Sequence, residues 1–160
     1  GKQVLFISCS HLVQDLLIAK RELELTKKLK SLSRFDAVII DDIGYVQQSR
    51  EEMEVLFTFL ADRYEQGILG VISEFGLPWI VKRLGFRVEY WFRETPPHNG
   101  GEANAAVDTE LDRYMHLWAL NRGILLTPFH NMALIASDTS ESDVDYHTDV
   151  FRAAVQELFG

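Results

Sequence analysis

Apolar and polar positions change period several times along this chain, and each change marks an element. Residues 3 to 8, Gln-Val-Leu-Phe-Ile-Ser, form a short apolar run of strand formers, and Ser10 then stands where a helix N-cap would. From His11 to about Leu32 the positions Leu12, Val13, Leu16, Leu17, Leu23 and Leu29 recur roughly at helical spacing. Lys27, Lys28 and Lys30 suit the negative end of that helix and read as a solvated terminus. Residues 36 to 42, Asp-Ala-Val-Ile-Ile-Asp-Asp, give a second apolar strand that ends on two carboxylates, with Gly44 breaking the pattern. Ser49-Arg50-Glu51-Glu52 then reads as a capping box. The long helix behind it carries Met53, Leu56, Phe57, Leu60 and Tyr64 on one face and can run on to Gly76.

After Pro78 the period becomes two. Ile80 to Leu84 and Phe86 to Phe92 read as a hairpin in which Phe86, Val88, Tyr90 and Phe92 share a buried face. Glu94 to Ala106, with Pro96-Pro97 and Gly100-Gly101, reads as a loop. A helix from about Val107 to Asn121 places Val107, Leu111, Tyr114 and Trp118 on one side, and Gly123 is its natural stop. Ile124 to Thr127 and Met132 to Ala136 predict two more short strands around Pro128-Phe129-His130-Asn131. A last helix is predicted from about Ser142 to Leu158, packing through Val144, Phe151, Val155 and Leu158.

Composition narrows the class. With 47% hydrophobic and 25% charged residues the chain is globular, long enough for one ordinary domain or two very small ones. A net charge of -8 argues against a surface that holds nucleic acid by neutralising phosphates. One cysteine, Cys9, excludes an internal disulfide or a multi-Cys zinc site and reads as a small buried residue at a strand end. No stretch approaches the roughly 18 apolar residues of a membrane span, so a cytoplasmic protein without a membrane partner is expected.

Asp41 and Asp42 close an apolar strand, the form of a Walker B motif: the strand aims the first carboxylate at Mg²⁺ and the second can orient a water toward a γ-phosphate. An apolar strand ending in Asp at a turn is common, so that pattern alone identifies nothing. Its surroundings are specific. Ser33-Arg34-Phe35-Asp36 before the strand, with Ile43-Gly44-Tyr45-Val46-Gln47-Gln48-Ser49-Arg50-Glu51-Glu52 after it, closely resembles the IstB-like transposition helper ATPases over about Gly1 to Tyr64. The resemblance implies an AAA+ fold, Mg²⁺-ATP as cofactor, Asp41 as the metal-associated acid, Asp42 as its catalytic neighbour, and a transposase and DNA as ancestral partners. That family's phosphate-binding loop ends in Gly-Lys-Ser/Thr. Gly1-Lys2 does not supply it, since Gln3 stands in place of the hydroxyl and a strand follows instead of a helix.

A second resemblance occupies the rest. Gly76-Leu77-Pro78-Trp79, Arg83-Leu84-Gly85, Glu89-Tyr90, Asp112-Arg113-Tyr114, the run Asn121 to Met132 and Asp143-Val144-Asp145 resemble the C-terminal small domain of class III aminotransferases of the glutamate-1-semialdehyde aminomutase-like kind. That implies pyridoxal phosphate as cofactor, held by a large domain, with the loop carrying Thr127, His130 and Asn131 nearest the substrate. The family's chemistry needs a lysine that forms an imine with the cofactor. Lys82 is the sole lysine of this half and reads as a solvated strand residue, while His11, His98, His116 and His147 lack ligand spacing and the acidic run from Asp138 to Asp145 lacks that of a calcium loop.

The combined expectation is an α/β chain: a partial AAA+ parallel β-α-β-α unit at residues 1–64, without its phosphate loop, followed by an α+β aminotransferase C-terminal small domain at 65–160. The seam is expected inside the helix after Ser49. A homodimer, or a separate large domain as partner, would complete it. The N-terminal strands, cut from a larger parallel sheet, are expected to open before residues 78 to 158 do.

Overall fold

The computed structural model describes residues 1–41, 49–127, 130–136 and 138–160. β1 (Val4–Ser8) and β2 (Ala37–Asp41) pair in parallel, with Phe6 opposite Ile39 and Ser8 opposite Asp41. Between them run α1 (Cys9–Arg21) and α2 (Leu25–Leu32). Two features differ from the sequence reading. Ser8, not Ser10, caps α1, its hydroxyl accepting from the His11 amide. The predicted single helix also breaks, because Leu23 adopts φ 60° and the Glu24 amide reaches back to the Ala19 carbonyl at 2.8 Å. That closure ends α1 one residue after its C-cap Glu22.

α3 (Arg50–Glu74) starts on the predicted capping box, in which the Ser49 hydroxyl accepts from the Glu52 amide while the Glu52 carboxylate accepts from that of Ser49. It stops at Gly76, whose φ of 60° suits a residue without Cβ. β3 (Ile80–Leu84) and β4 (Arg87–Trp91) form the predicted hairpin, and β5 (Met132–Leu134) adds to β4 to make a three-stranded antiparallel sheet.

The remaining corrections are local. Asn99 caps a short helix, α4 (Gly100–Ala105), inside the predicted loop, because its side chain accepts from the Glu102 amide and offsets the two glycines. α5 (Thr109–Leu120) ends before Gly123 as expected. Its buried residues are Met115 and Ala119, whereas Val107 lies outside it, exposed. Residues 124–127 are not a strand. α6 (Glu141–Phe159) begins one residue before the predicted Ser142, because Ser140 and Asp143 form a capping box there.

One apolar cluster joins these pieces. It runs from Cys9, Leu12 and Leu16 of α1 through Val55, Phe59, Tyr64 and Ile68 of α3 to Trp79, Tyr90, Phe151 and Val155. α3 sits at its centre, packing on α1, β3 and α6. No helix is long and apolar enough to cross a membrane among the described residues.

Candidate functional site

At the carboxyl ends of β1 and β2, Ser8, Ser10 and His11 meet the end of the strand that carries Asp41. The Ser8 hydroxyl lies 3.1 Å from His11 Nδ1 and 3.2 Å from the Ser10 hydroxyl, and Asp41 stands opposite Ser8 in register. Strand ends in an open parallel sheet are where ligands of such folds sit. Asp41 is exposed; Asp42 lies outside the described residues. Among the described residues no group of three His, Cys, Asp or Glu could hold a metal ion. The 160 residues contain no Gly-rich loop ending in Gly-Lys-Ser/Thr. Among the described residues the donor set does not fit Mg²⁺-ATP by itself: it offers one positioned carboxylate, Asp41, and no Gly-Lys-Ser/Thr cradle for the phosphates.

The second candidate lies between β4, α4 and the start of β5. A cleft of about 470 Å³ is lined there by Glu89, Trp91, Asn104, Asp112, His130 and Asn131. The His130 amide donates to the Thr127 carbonyl at 3.3 Å. Asn131 is fixed twice: its side-chain amide donates to Asp112 Oδ1 at 2.6 Å and its carbonyl accepts from the Tyr90 amide. Burial raises the Asp112 carboxyl above its ordinary range, against the hydrogen bond from Asn131 that lowers it. His130 Nδ1 lies 3.4 Å from Glu89 Oε1, the histidine exposed and the glutamate half-buried.

The fold thus places His130 and Asn131 on this cleft, with Asp112 tethering Asn131, whereas Thr127 is not among the lining residues. What this cleft can do is hold a polar group between two acids, two amides, an imidazole and an indole wall. It does not fit pyridoxal phosphate, because no lysine lines it and Lys82 is exposed on β3. Sequence reasoning missed two buried groups: Glu141 beside Arg63, and His147, whose Nε2 lies 2.8 Å from the Tyr64 hydroxyl. The i, i+3 and i+4 apolar pattern of α6 around His147 was the only signal for the latter.

Two different groups of known proteins are similar to this chain. Residues 1–79 match the family described as IstB-like ATP binding protein. An insertion sequence ATP-binding protein of Sinorhizobium fredii is 42% identical over 66 residues, which are 41% of this chain and 22% of that protein. One from Pseudomonas aeruginosa is 37% identical over 76 residues, 48% of this chain and 29% of that protein. The N-terminal stretch, residues 1–79, is thus similar to IstB-like ATP-binding proteins.

A longer stretch, which overlaps that one, is similar to a different protein. Glutamate-1-semialdehyde 2,1-aminomutase 2 of Halalkalibacterium halodurans is 30% identical over 104 residues, 64% of this chain and 24% of that enzyme. The crystal structure of a glutamate-1-semialdehyde aminomutase from Pseudomonas aeruginosa PAO1, solved with PMP, superposes with a TM-score of 0.63 and 45% identity, covering 64% of this chain and 23% of that one. The chain spans less than a third of each of these relatives. Because residues 1–79 and 64% of 160 residues exceed the chain when put end to end, the IstB-like and aminomutase-like stretches overlap. A run of that length includes the C-terminal half of α3 wherever it is placed.

Proposed function

We propose that this chain joins a partial IstB-like ATP-binding segment, about residues 1–64, to the C-terminal small domain of a PLP-dependent class III aminotransferase, about residues 65–160, and that these residues by themselves catalyse neither reaction. The observation that carries this reading is the pair of unlike matches meeting on α3, each to about a quarter of its relatives. Asp41 and Asp42 are then a vestigial Walker B pair, with Asp41 as the metal-associated acid. Without a phosphate cradle in the same chain, a nucleotide has nothing to position it for in-line attack, and positioning is most of phosphoryl-transfer catalysis. Transposase and DNA are partners of the ancestral helper, and the cytoplasm is the compartment such a product would occupy.

A second reading is favoured by the cleft at Asp112, His130 and Asn131. On that reading the C-terminal part works as an aminomutase-derived lid, with PLP and its lysine supplied by a separate large domain or a second subunit, and Thr127, His130 and Asn131 facing the substrate. Pyridoxal phosphate supplies an electron sink to its substrate when bound, and this chain would contribute only orientation and exclusion of water. Incubation with pyridoxal phosphate followed by borohydride reduction and peptide mapping tests both readings. Neither predicts a specific adduct on the isolated chain. A stoichiometric adduct on one lysine, Lys82 for instance, would overturn them. Protection of a separately supplied PLP-binding large domain against limited proteolysis by this chain would select the second reading.

A further inference from the structure

The junction between the two segments holds a buried charge that neither candidate site uses. Glu141, the first residue of α6, is 7% exposed and accepts a backbone hydrogen bond from Val38, in the middle of β2. Its Oε1 lies 3.6 Å from Nε of Arg63 on α3, with side-chain exposures of 9% and 12%. Arg63 Nη1 in turn donates to the Phe35 carbonyl at 3.1 Å, just before β2. The carboxylate therefore blocks the edge of β2 that β1 does not cover, a position where an inward-pointing charge protects a strand. Glu141 Oε1 has no hydrogen bond among the described residues, so Arg63 balances it only through space. A buried charge compensated this incompletely is relieved by taking up a proton.

We propose that Arg63 and Glu141 form a proton-sensitive latch between the IstB-like strand pair and the aminomutase-like helix α6, closed while Glu141 carries a proton and loosened when it loses it. The groups facing Glu141 are Arg63 on α3 and Asp145 one turn along α6; Lys2 and Asp36 share the adjoining polar groove with Arg63 and Asp145. Burial pushes Glu141 up to about 7, against Arg63, which lowers it, and with Asp145, which raises it. Because the folded value exceeds the unfolded one, the contribution is complete below the unfolded value and is lost as pH rises through about 7. His147, further along α6, acts with the opposite sign, so the latch is isolated only by comparing chains that keep His147. The latch is independent of what either segment once catalysed.

Hydrogen exchange of the full chain, read by mass spectrometry at pH 6 and pH 8.5 and corrected for intrinsic rates, tests it. In the native sequence, protection of the peptides spanning β1 and β2 should fall about tenfold more than that of β3 and β4 across this range. Glu141→Gln should abolish that excess, whereas Arg63→Met, which leaves the carboxylate unbalanced, should enlarge it. The second variant keeps the test open if the first folds poorly. Loss of protection at β1 and β2 that is the same in the native chain and in both variants, or absent from the native chain, would overturn the latch.

Discussion

Leu23 holds a left-handed backbone, with φ at 60°, while its side chain is 93% exposed. It stands where glycine is the usual residue, and a Cβ there carries a steric cost with no burial to offset it. Leu23→Gly should stabilise the chain by about 0.5–1 kcal/mol in a denaturant titration, the relieved strain outweighing the added freedom of the unfolded state. An unchanged or lower midpoint would contradict this. His147 shows the opposite economy: it is buried, its Nε2 engaged by Tyr64, and its Nδ1 has no hydrogen-bond partner among the described residues. Burial pushes its pKa down to about 4, from 6.5. A depressed histidine gives stability that is complete above the unfolded value and lost as pH falls from 6.5 toward 4. Melting curves at pH 7 and pH 4.5 should show a smaller acid-induced drop for His147→Gln than for the native chain. Equal drops would mean that His147 is already solvated. Neither residue was legible in the sequence, since Leu23 continued a helical apolar pattern and His147 lacked any ligand spacing. The positive φ of Leu23 left no mark in the apolar pattern, and the apolar face of α6 around position 147 did not show which partner its ring meets.

At the scale of elements, α3 is the piece that both likenesses include, and its far face meets α6 at Gly67. A Cβ at that position would collide with Oγ1 of Thr148, which donates to the Val144 carbonyl at 3.0 Å. Gly67→Ala should therefore destabilise by about 1–2 kcal/mol, overpacking outweighing the helix propensity gained. In a Thr148→Ala background the same change should become neutral or stabilising. A double-mutant cycle measured in urea checks the sign reversal, and additive values would contradict close packing at this point. Much of α3 was legible: Ser49 and Glu52 announced its start, and Gly76 its end. The hairpin of β3 and β4 was legible through strict alternation, and β2 through its run of apolar residues before two acids. The break between α1 and α2, the α4 helix and the irregular path of residues 124–127 were not. The first two depend on backbone closures, at Leu23 and at the Asn99 cap, that apolar periodicity does not carry.

At the scale of the molecule, two segments with different relatives share one apolar core, yet the face of β1 and β2 carrying Val4, Phe6 and Ile39 remains exposed. A parallel pair is ordinarily covered on both sides, which supports the reading of this unit as part of a larger sheet. The resemblance of each segment was readable from motifs, because Asp41-Asp42 with its flanks and the run Asn121 to Met132 are local features of the sequence. The cleft tether between Asp112 and Asn131 was not, because it joins residues 19 positions apart through the fold. On the proposed reading, these segments keep the marks of two enzymes without the complete centre of either. Steady-state ATP hydrolysis at saturating Mg²⁺, on purified chain and on an Asp42→Asn variant, tests it most directly. The same background rate is expected for both, since these 160 residues include no Gly-Lys-Ser/Thr loop to hold the phosphates beside the carboxylates. Hydrolysis above background that Asp42→Asn abolishes would contradict it.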